Sequence, residues 1–205
     1  QTVCNGANTA AVSFSGAVTG TVYSWTNNTP SIGLAASGTG DIASFTAVNT
    51  GTTPVVATIT VTPSANGCSG TPRTFTITVN PTPTVNAVSN QVICNGSNTT
   101  AVAFSGAVTG TVYSWTNNTT SIGLAASGTG NIASFAAVNT GTTPVTATIT
   151  VTPSYTNGGV TCTGTPTTFT ITVNPTPTVN VVANQVLCNG SSTTAVTFTG
   201  AVAGT

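Results

Sequence analysis

The sequence has almost no charged residues. Its 205 residues include one basic and one acidic side chain, Arg73 and Asp41, and it lacks histidine, lysine, glutamate and methionine. Ordinary soluble domains carry about 25% charged residues. General acid–base catalysis needs titratable groups held at a suitable pKa, and the internal repeat described below replaces Asp41 by Asn131. We therefore predict that the chain is not an enzyme and that both charges lie on the solvated surface.

The same shortage excludes several classes of ligand. Nucleic acid binding depends on basic side chains that neutralise phosphates, and one arginine cannot form such a patch. Calcium sites rely on several oxygen ligands, with carboxylates prominent among them, and a zinc site would need a cluster of cysteine and histidine. We predict no cofactor, no metal and no nucleic acid partner.

Long apolar runs are also missing. No stretch approaches the ~18–20 apolar residues of a membrane-spanning helix, and no charged-then-apolar leader is visible. Threonine, in contrast, makes up about a quarter of the chain, together with much valine and isoleucine. These residues favour strands, and disordered chains are poor in them. The composition predicts a folded, all-β protein.

The chain repeats itself. Residues 1–64 align with residues 91–154 without a gap and differ at nine positions, and "CNG" occurs at Cys4, Cys94 and Cys188. The second copy is four residues longer because the loop that begins at Ser64 is expanded after Ser154. Folded units tolerate insertions in loops, so the repeat indicates a folded unit of about 90 residues.

We predict three domains from this repeat: an N-terminally incomplete one at 1–80, a complete one at 81–174, and the start of a third at 175–205. Both ends of the sequence fall inside a repeat, so we expect a longer array. The stretch "TITVNPTPTVN" occurs at 76–86 and again at 170–180, and its prolines fix φ and favour extended neighbours. We predict a rigid joint between domains, formed by Pro81, Pro83, Pro175 and Pro177.

Strict apolar alternation appears at "TATITVT" from Thr146 and at "TFTITV" from Thr168. A period of two is typical of half-buried strands. Further strands are predicted at 85–93, 121–126 and 132–138, with turn signals between them. About seven short strands in each repeat predict tandem immunoglobulin-like β-sandwiches. The predicted core includes Trp25, Trp115, Phe104 and Phe169.

The five cysteines suggest an oxidising, extracellular setting. Three pairings are open: within a copy (Cys4–Cys68 and Cys94–Cys162), across the joint (Cys68–Cys94 and Cys162–Cys188), or between neighbouring copies (Cys4–Cys162). The within-copy pairing is the simplest, but a strand of ~6 residues would separate its thiols by ~20 Å. Bridged Cα atoms lie ~4.4–6.8 Å apart. The neighbour pairing suits that topology, because the bottom of one domain meets the top of the next, and unpaired thiols are a further alternative. The simplest pairing, within a copy, is the one we expect.

The amino-acid sequence of several stretches resembles that of a known family. "NQVICNGSNTTAVAFSGAV", "YSWTNN", "SIGLAASGTGNIASF" and "GTPTTFTITVNPTPTVN" are similar to the PKD-like, immunoglobulin-like repeats of very large surface adhesins of Bacteroidota. The resemblance implies export by the type IX system, attachment to the outer cell surface and, in some members, a role in gliding motility. It carries no catalytic residue over to this chain.

Two functions are compatible with these observations. The repeats can be passive spacers in the stalk or filament of a surface adhesin, each advancing the chain by roughly 40 Å at ~3.3 Å per strand residue plus loops. Alternatively, they adhere to polysaccharide themselves or assemble laterally, since edge strands are normally guarded by charge and these have none. The expected partners are neighbouring repeats of the chain, with lateral copies or polysaccharide in the second case.

The lack of charge yields a first prediction. Metal chelators and ionic strength should leave the thermal unfolding temperature almost unchanged, because neither bound cations nor ion pairs hold the domains. Calorimetry with and without chelator, at low and high salt, checks this. A fall of many degrees in chelator would contradict it.

Overall fold

The computed structural model describes residues 1–202. The strands of the first repeat are β1 (Thr2–Cys4), β2 (Val22–Asn27), β3 (Ser37–Thr39), β4 (Val55–Ala65), β5 (Cys68–Ser69) and β6 (Arg73–Asn80). Those of the second are β7 (Gln91–Cys94), β8 (Val112–Asn117), β9 (Ser127–Thr129), β10 (Val145–Asn157), β11 (Val160–Thr163) and β12 (Thr167–Asn174). The helical segments among the described residues are two 3₁₀ turns, Pro30–Ile32 and Thr120–Ile122.

Each repeat forms one six-stranded sheet, and the two sheets have the same topology. The order is β1-β6-β4-β2-β3 in the first and β7-β12-β10-β8-β9 in the second, with β5 paired to β4 and β11 paired to β10. The first strand of each repeat runs parallel to the last, and the remaining pairs for which the register is known are antiparallel. The repeated sequence thus produces a repeated hydrogen-bond pattern.

A second layer of extended chain covers one face of each sheet. It is joined by isolated bridges, such as Val12↔Ile42 in the first repeat and Val102↔Ile132 in the second. In the first repeat Ile42 packs in one cluster with Ile59 of the sheet. Period-two alternation therefore places the apolar face of each sheet inward, and the predicted all-β, immunoglobulin-like sandwich fold is confirmed.

Three predicted strands differ from the structure. The segment 121–126 does not form a strand, because Thr120–Ile122 is a 3₁₀ turn that ends at Gly123 with φ of 95°. Residues 132–138 form two isolated bridges, at Ile132 and Ala136, instead of a continuous strand. In 85–93 the strand begins only at Gln91, because the Asn90 side chain accepts the Thr170 N–H at 2.8 Å in place of a backbone carbonyl.

The four aromatic side chains of the predicted core lie inside the repeats. Trp25 and Trp115 are each 7% exposed, Phe104 is 8% exposed and Phe169 is 2% exposed. The Trp115 ring rests directly on Gly128 of β9, where a Cβ would collide with the indole. This glycine lies within "SGTG", a composition typical of turns. It is required here by close packing in a strand.

The one carboxylate does more than face solvent. Asp41 is exposed, but its Oδ1 accepts a hydrogen bond from the Phe14 N–H at 2.8 Å. The Asn131 side-chain oxygen accepts the equivalent bond from Phe104 at 2.9 Å. Asp41 and Arg73 are both exposed, as predicted, and the shared acceptor oxygen allows either aspartate or asparagine at this position.

Contacts divide the chain into two compact units that do not follow the repeat. One unit contains residues 1–86, 105–114 and 152–166, and the other contains 87–104, 115–151 and 167–205. The first unit therefore includes the whole first sheet, the joint 81–86 and one end of the second repeat. The domain boundaries at 80/81 and 174/175 stay a prediction.

The contact between Trp115 and Gly128 yields a second prediction. Trp115→Ala should lower the free energy of unfolding by ~3–5 kcal/mol, the range for emptying a large aromatic site. Gly128→Ala should cost ~1–3 kcal/mol by overpacking, but almost nothing when Trp115→Ala is also present, because the new methyl group then fills the vacated space. Calorimetry of the two single variants and the double variant measures this coupling. Additive costs would show that the indole does not rest on Gly128.

Candidate functional site

Residues 1–202 contain no metal-binding cluster. No group of three or more histidine, cysteine, aspartate or glutamate side chains is placed to hold a metal ion there. Over the same residues, no helix has both the length and the apolar character to span a membrane. The most elaborate arrangement is instead the joint after the first repeat, all of whose contacts described below lie in the first compact unit.

The joint segment is packed rather than merely stiff. Strand β6 ends at Asn80, which is fully buried, and Pro81 and Pro83 are buried as completely. Thr82 and Thr84, between and after the prolines, are exposed. The alternation of proline and threonine thus behaves like a strand, with one face turned into protein and one into solvent.

The turn after β1 binds one side of the joint. The Asn5 N–H donates to the Asn80 carbonyl at 2.9 Å, and the Asn5 side-chain amide donates to the Thr82 hydroxyl at 2.9 Å. The Asn5 side-chain oxygen also accepts the Asn49 N–H at 2.8 Å. The asparagine of "CNG" therefore positions the joint, a role that the sequence analysis did not identify.

The longer hairpin of the second repeat reaches the same place. The Asn80 side chain donates to the Asn157 carbonyl at 3.1 Å, and the Asn157 side chain donates back to Asn80 Oδ1 at 2.9 Å. A buried amide needs such partners, because an unsatisfied one costs free energy. Asn157 belongs to the expanded hairpin of the second copy, so the insertion supplies the partner of a buried residue 77 positions away.

Two glycines let the far side of the joint approach closely. A Cβ on Gly106 would collide with the Thr84 carbonyl, and one on Gly164 would collide with the Pro83 carbonyl. Beside them the Thr84 hydroxyl accepts the Ala107 N–H at 3.0 Å. The Asn86 N–H donates to the Ser105 carbonyl at 2.8 Å, and its side chain donates to the Ser105 hydroxyl at 3.0 Å.

The hydroxyl of Tyr113 lies under Gly106, 2.8 Å from where a Cβ would stand. Burial raises the pKa of Tyr113 above its ordinary value, while a side-chain hydrogen bond with Thr111 acts in the opposite direction. The Tyr113 hydroxyl therefore stays protonated at physiological pH. The neutral side chain adds apolar surface to this end of the second repeat.

A disulfide closes the joint. Cys4, the last residue of β1, is bonded to Cys162, on the hairpin of the second repeat, with Cα atoms 5.6 Å apart. Of the three pairings considered, this is the one between neighbouring copies, so the within-copy partner Cys68 is not the partner of Cys4. The geometric argument explains this, because the first turn and the last hairpin of one sandwich lie at opposite ends. The thiols of Cys68, Cys94 and Cys188 are free and exposed.

The second joint repeats part of this arrangement. The Asn95 side chain donates to the Thr176 hydroxyl at 3.0 Å, as Asn5 does to Thr82. Pro175 is buried, but Pro177 is exposed, unlike its counterpart Pro83.

These features define a tandem of immunoglobulin-like sandwiches joined by a packed, disulfide-closed connection. The model of the PKD-like domain family matches residues 1–83 and 91–177. The chain therefore belongs to the PKD-like domain family and carries two copies of the domain. Such domains are typical of extracellular adhesive and structural proteins and are generally non-catalytic, and the disulfide agrees with an extracellular setting.

Other comparisons add little. The crystal structure of the human desmocollin-1 ectodomain is similar with a TM-score of 0.25 and 13% identity, over 75% of this chain and 33% of that one. The chain thus spans about a third of that ectodomain, and a TM-score this low supports no conclusion about function. No curated protein matches the chain significantly.

The single arginine allows a clean test of the disulfide. Trypsin should cut the unfolded chain only after Arg73, into residues 1–73 and 74–205. With free thiols blocked first, the two fragments should stay together on a denaturing gel until a reductant is added, because Cys4–Cys162 crosses the cut.

The variant Cys68→Ser should behave in the same way. Fragments that separate without reductant would show within-copy bonds instead. Fragments that separate only in Cys68→Ser would show the Cys68–Cys94 bond.

Proposed function

We propose that the chain is a mechanical spacer, a section of the stalk or filament of a large extracellular adhesin. The closed joint is the observation that carries this proposal. A flexible Gly/Ser linker would leave successive domains free to reorient, whereas Asn80, Pro81 and Pro83 are fully buried and are enclosed by hydrogen bonds and a disulfide.

The disulfide also suits a part that bears tension. A pull on the two ends of the chain passes from Cys4 directly to Cys162, so the residues between them cannot be drawn out. With Cys4 bonded to Cys162, residues 1–4 and 162–205, which are 48 of the 205 residues, lie in the path of the force. Unfolding of the shielded strands then adds no length.

The cellular location in this proposal is taken from the family resemblance. In this proposal the spacer stands on the outer surface of the cell and holds a distal adhesive tip away from it. Export by the type IX system and a part in gliding motility belong to the same proposal, as implied by the resemblance to surface adhesins of Bacteroidota. No step of the proposal requires catalysis, a cofactor or a metal.

The alternative, direct adhesion or lateral assembly, is less well supported. The sheets end in short edge strands, three residues in β1, β3 and β9 and four in β7, and short edges are themselves a protection against lateral pairing. Polysaccharide-binding sites commonly present exposed aromatic rings. Within residues 1–180 every phenylalanine, tyrosine and tryptophan is buried or half-buried.

Single-molecule stretching tests the spacer role. Under oxidising conditions the chain, held by its ends, should extend by no more than ~160 Å, whereas Cys162→Ser should extend to ~700 Å, at ~3.4 Å per residue in the path of the force. Cys68→Ser is the matched control and should behave like the parent. A parent protein that extends fully without reductant, or that binds polysaccharide-coated surfaces more tightly than bare ones, would contradict the proposal.

A further inference from the structure

The three glutamines of the chain all make the same pair of hydrogen bonds. The Gln91 side-chain nitrogen donates to the Thr100 carbonyl at 2.9 Å, and the Gln91 side-chain oxygen accepts the Thr100 N–H at 2.9 Å. The other two bind the backbone nine residues further along in the same way, Gln1 with Ala10 and Gln185 with Thr194. Because the partner is either alanine or threonine, the glutamine recognises a backbone and not a side chain.

The Gln91 side chain imitates a neighbouring strand. A side-chain amide has an acceptor oxygen and N–H donors, as a backbone peptide unit does. The free edge of a strand presents unpaired N–H and carbonyl groups, to which another chain can pair. Since Gln91 binds both groups of Thr100 at once, it takes the place that the backbone of another strand would take.

Thr100 lies on the free edge of the segment 98–104. On one side this segment is bound to residues 132–136, because Val102 and Ile132 exchange two backbone hydrogen bonds at 2.8 and 3.0 Å. On the other side an open groove of about 420 Å³ lies between residues 100–103 and residues 87–91. All of these residues belong to the second repeat and to the second compact unit.

The rest of this free edge has no partner. Ala101 and Ala103 line the groove and are exposed, and within residues 1–202 their backbone N–H and carbonyl groups form no hydrogen bond. Their side chains are single methyl groups, which leave room for the backbone of another strand. The edge is therefore open to pairing everywhere except at Thr100.

The usual protection of such an edge is missing. Proteins commonly place lysine, another charged side chain or proline on a free edge, but the segment 98–104 contains none of these. The two charges of the chain, Asp41 and Arg73, lie in the first repeat. A side-chain amide also replaces a backbone partner close by, where Asn90 accepts the Thr170 N–H at 2.8 Å.

We propose that the edge formed by Thr100, Ala101 and Ala103 is a latent pairing surface for the same edge of a second copy, and that the Gln91 amide closes it. Two copies of one edge, placed antiparallel, present donors to acceptors, and neither carries a charge that would repel the other. The amide occupies the first pair of groups on the edge, so a second copy cannot pair along its whole length.

The symmetry of the contact determines what would form without the amide. A surface that pairs with its own copy is used up in a two-fold dimer and does not extend into a fibre. Loss of Gln91 alone should therefore produce dimers. The inference does not rest on the spacer role, because it concerns what keeps copies apart and not what load they bear.

Sedimentation of the full chain tests the proposal, with the free thiols alkylated so that no new disulfide forms. The parent should be a monomer of 20.0 kDa. Gln91→Met keeps the length of the side chain but can form neither hydrogen bond, so it should sediment with twice that mass. Gln91→Ala should do the same without adding a long apolar side chain.

Two further variants separate edge pairing from a general loss of stability. Gln91→Glu loses the donor to the Thr100 carbonyl but adds a charge of the kind that protects edges, so it should stay monomeric. Ala103→Pro removes an N–H that has no partner and blocks pairing at the edge. The double variant Gln91→Met with Ala103→Pro should therefore be monomeric, although its two lost hydrogen bonds are not restored.

Amide hydrogen exchange locates the contact. The Ala103 N–H should exchange freely in the parent and about tenfold more slowly in the Gln91→Met dimer, because pairing protects it. Circular dichroism shows that each variant is folded.

Four results would overturn the proposal. The first is a parent that is already dimeric, and the second is a pair of folded variants, Gln91→Met and Gln91→Ala, that both stay monomeric. The third is association that persists in Gln91→Glu or in the double variant with Ala103→Pro. The fourth is a dimer in which the Ala103 amide exchanges as fast as in the parent, which would place the contact elsewhere.

Discussion

The burial of Asn80, Pro81 and Pro83 within the extended segment 80–86 is the constraint on which the joint depends. An extended segment leaves its backbone N–H and carbonyl groups without local partners, and buried groups of this kind need partners from elsewhere. The first repeat supplies Asn5, and the second repeat supplies Ser105, Ala107 and Asn157. The joint can be packed only because both repeats present these groups at the ends where they meet it.

Comparison of equivalent positions shows how much the joint contributes. The two copies of "SGAVTGT" are identical, yet Val18 is 58% exposed and Val108 is 3% exposed. The glycine counterparts differ in the same direction, since Gly70 is exposed and Gly164 is buried. Identical sequence thus produces different burial, and the surroundings rather than the residues decide it.

The strands could be predicted from the sequence because apolar alternation depends only on residues that are close together in the chain. The alternation in "TATITVT" places Ala147, Ile149 and Val151 on one face, and all three are buried. The 3₁₀ turn at Thr120 could not be predicted in this way, since Ile122 and Leu124 also alternate and only the left-handed Gly123 between them distinguishes the turn. Apolar alternation in the sequence does not show that Gly123 adopts a positive φ.

The extended path of the joint was predictable, but its contacts were not, and its rigidity stays a prediction. The prolines marked it, and their fixed φ indicated an extended path. The Asn80–Asn157 pair joins residues 77 positions apart, and the close approaches at Gly106 and Gly164 depend on carbonyls of another segment. Such contacts follow from tertiary topology, and no local sequence signal encodes them. The pairing of Cys4 with Cys162 also follows from tertiary topology and not from a local sequence signal.

The pairing of Cys4 with Cys162 also sets an order of events during synthesis. Chains emerge from the N-terminus at ~5–20 residues per second, so the 158 residues between the two cysteines correspond to roughly 8–32 seconds. During that time Cys68 and Cys94 become available first. The first sandwich, once folded, keeps Cys4 and Cys68 at opposite ends, so early folding protects Cys4 from the nearer thiol until its partner arrives. Oxidation that preceded folding would remove this protection and trap the wrong bond.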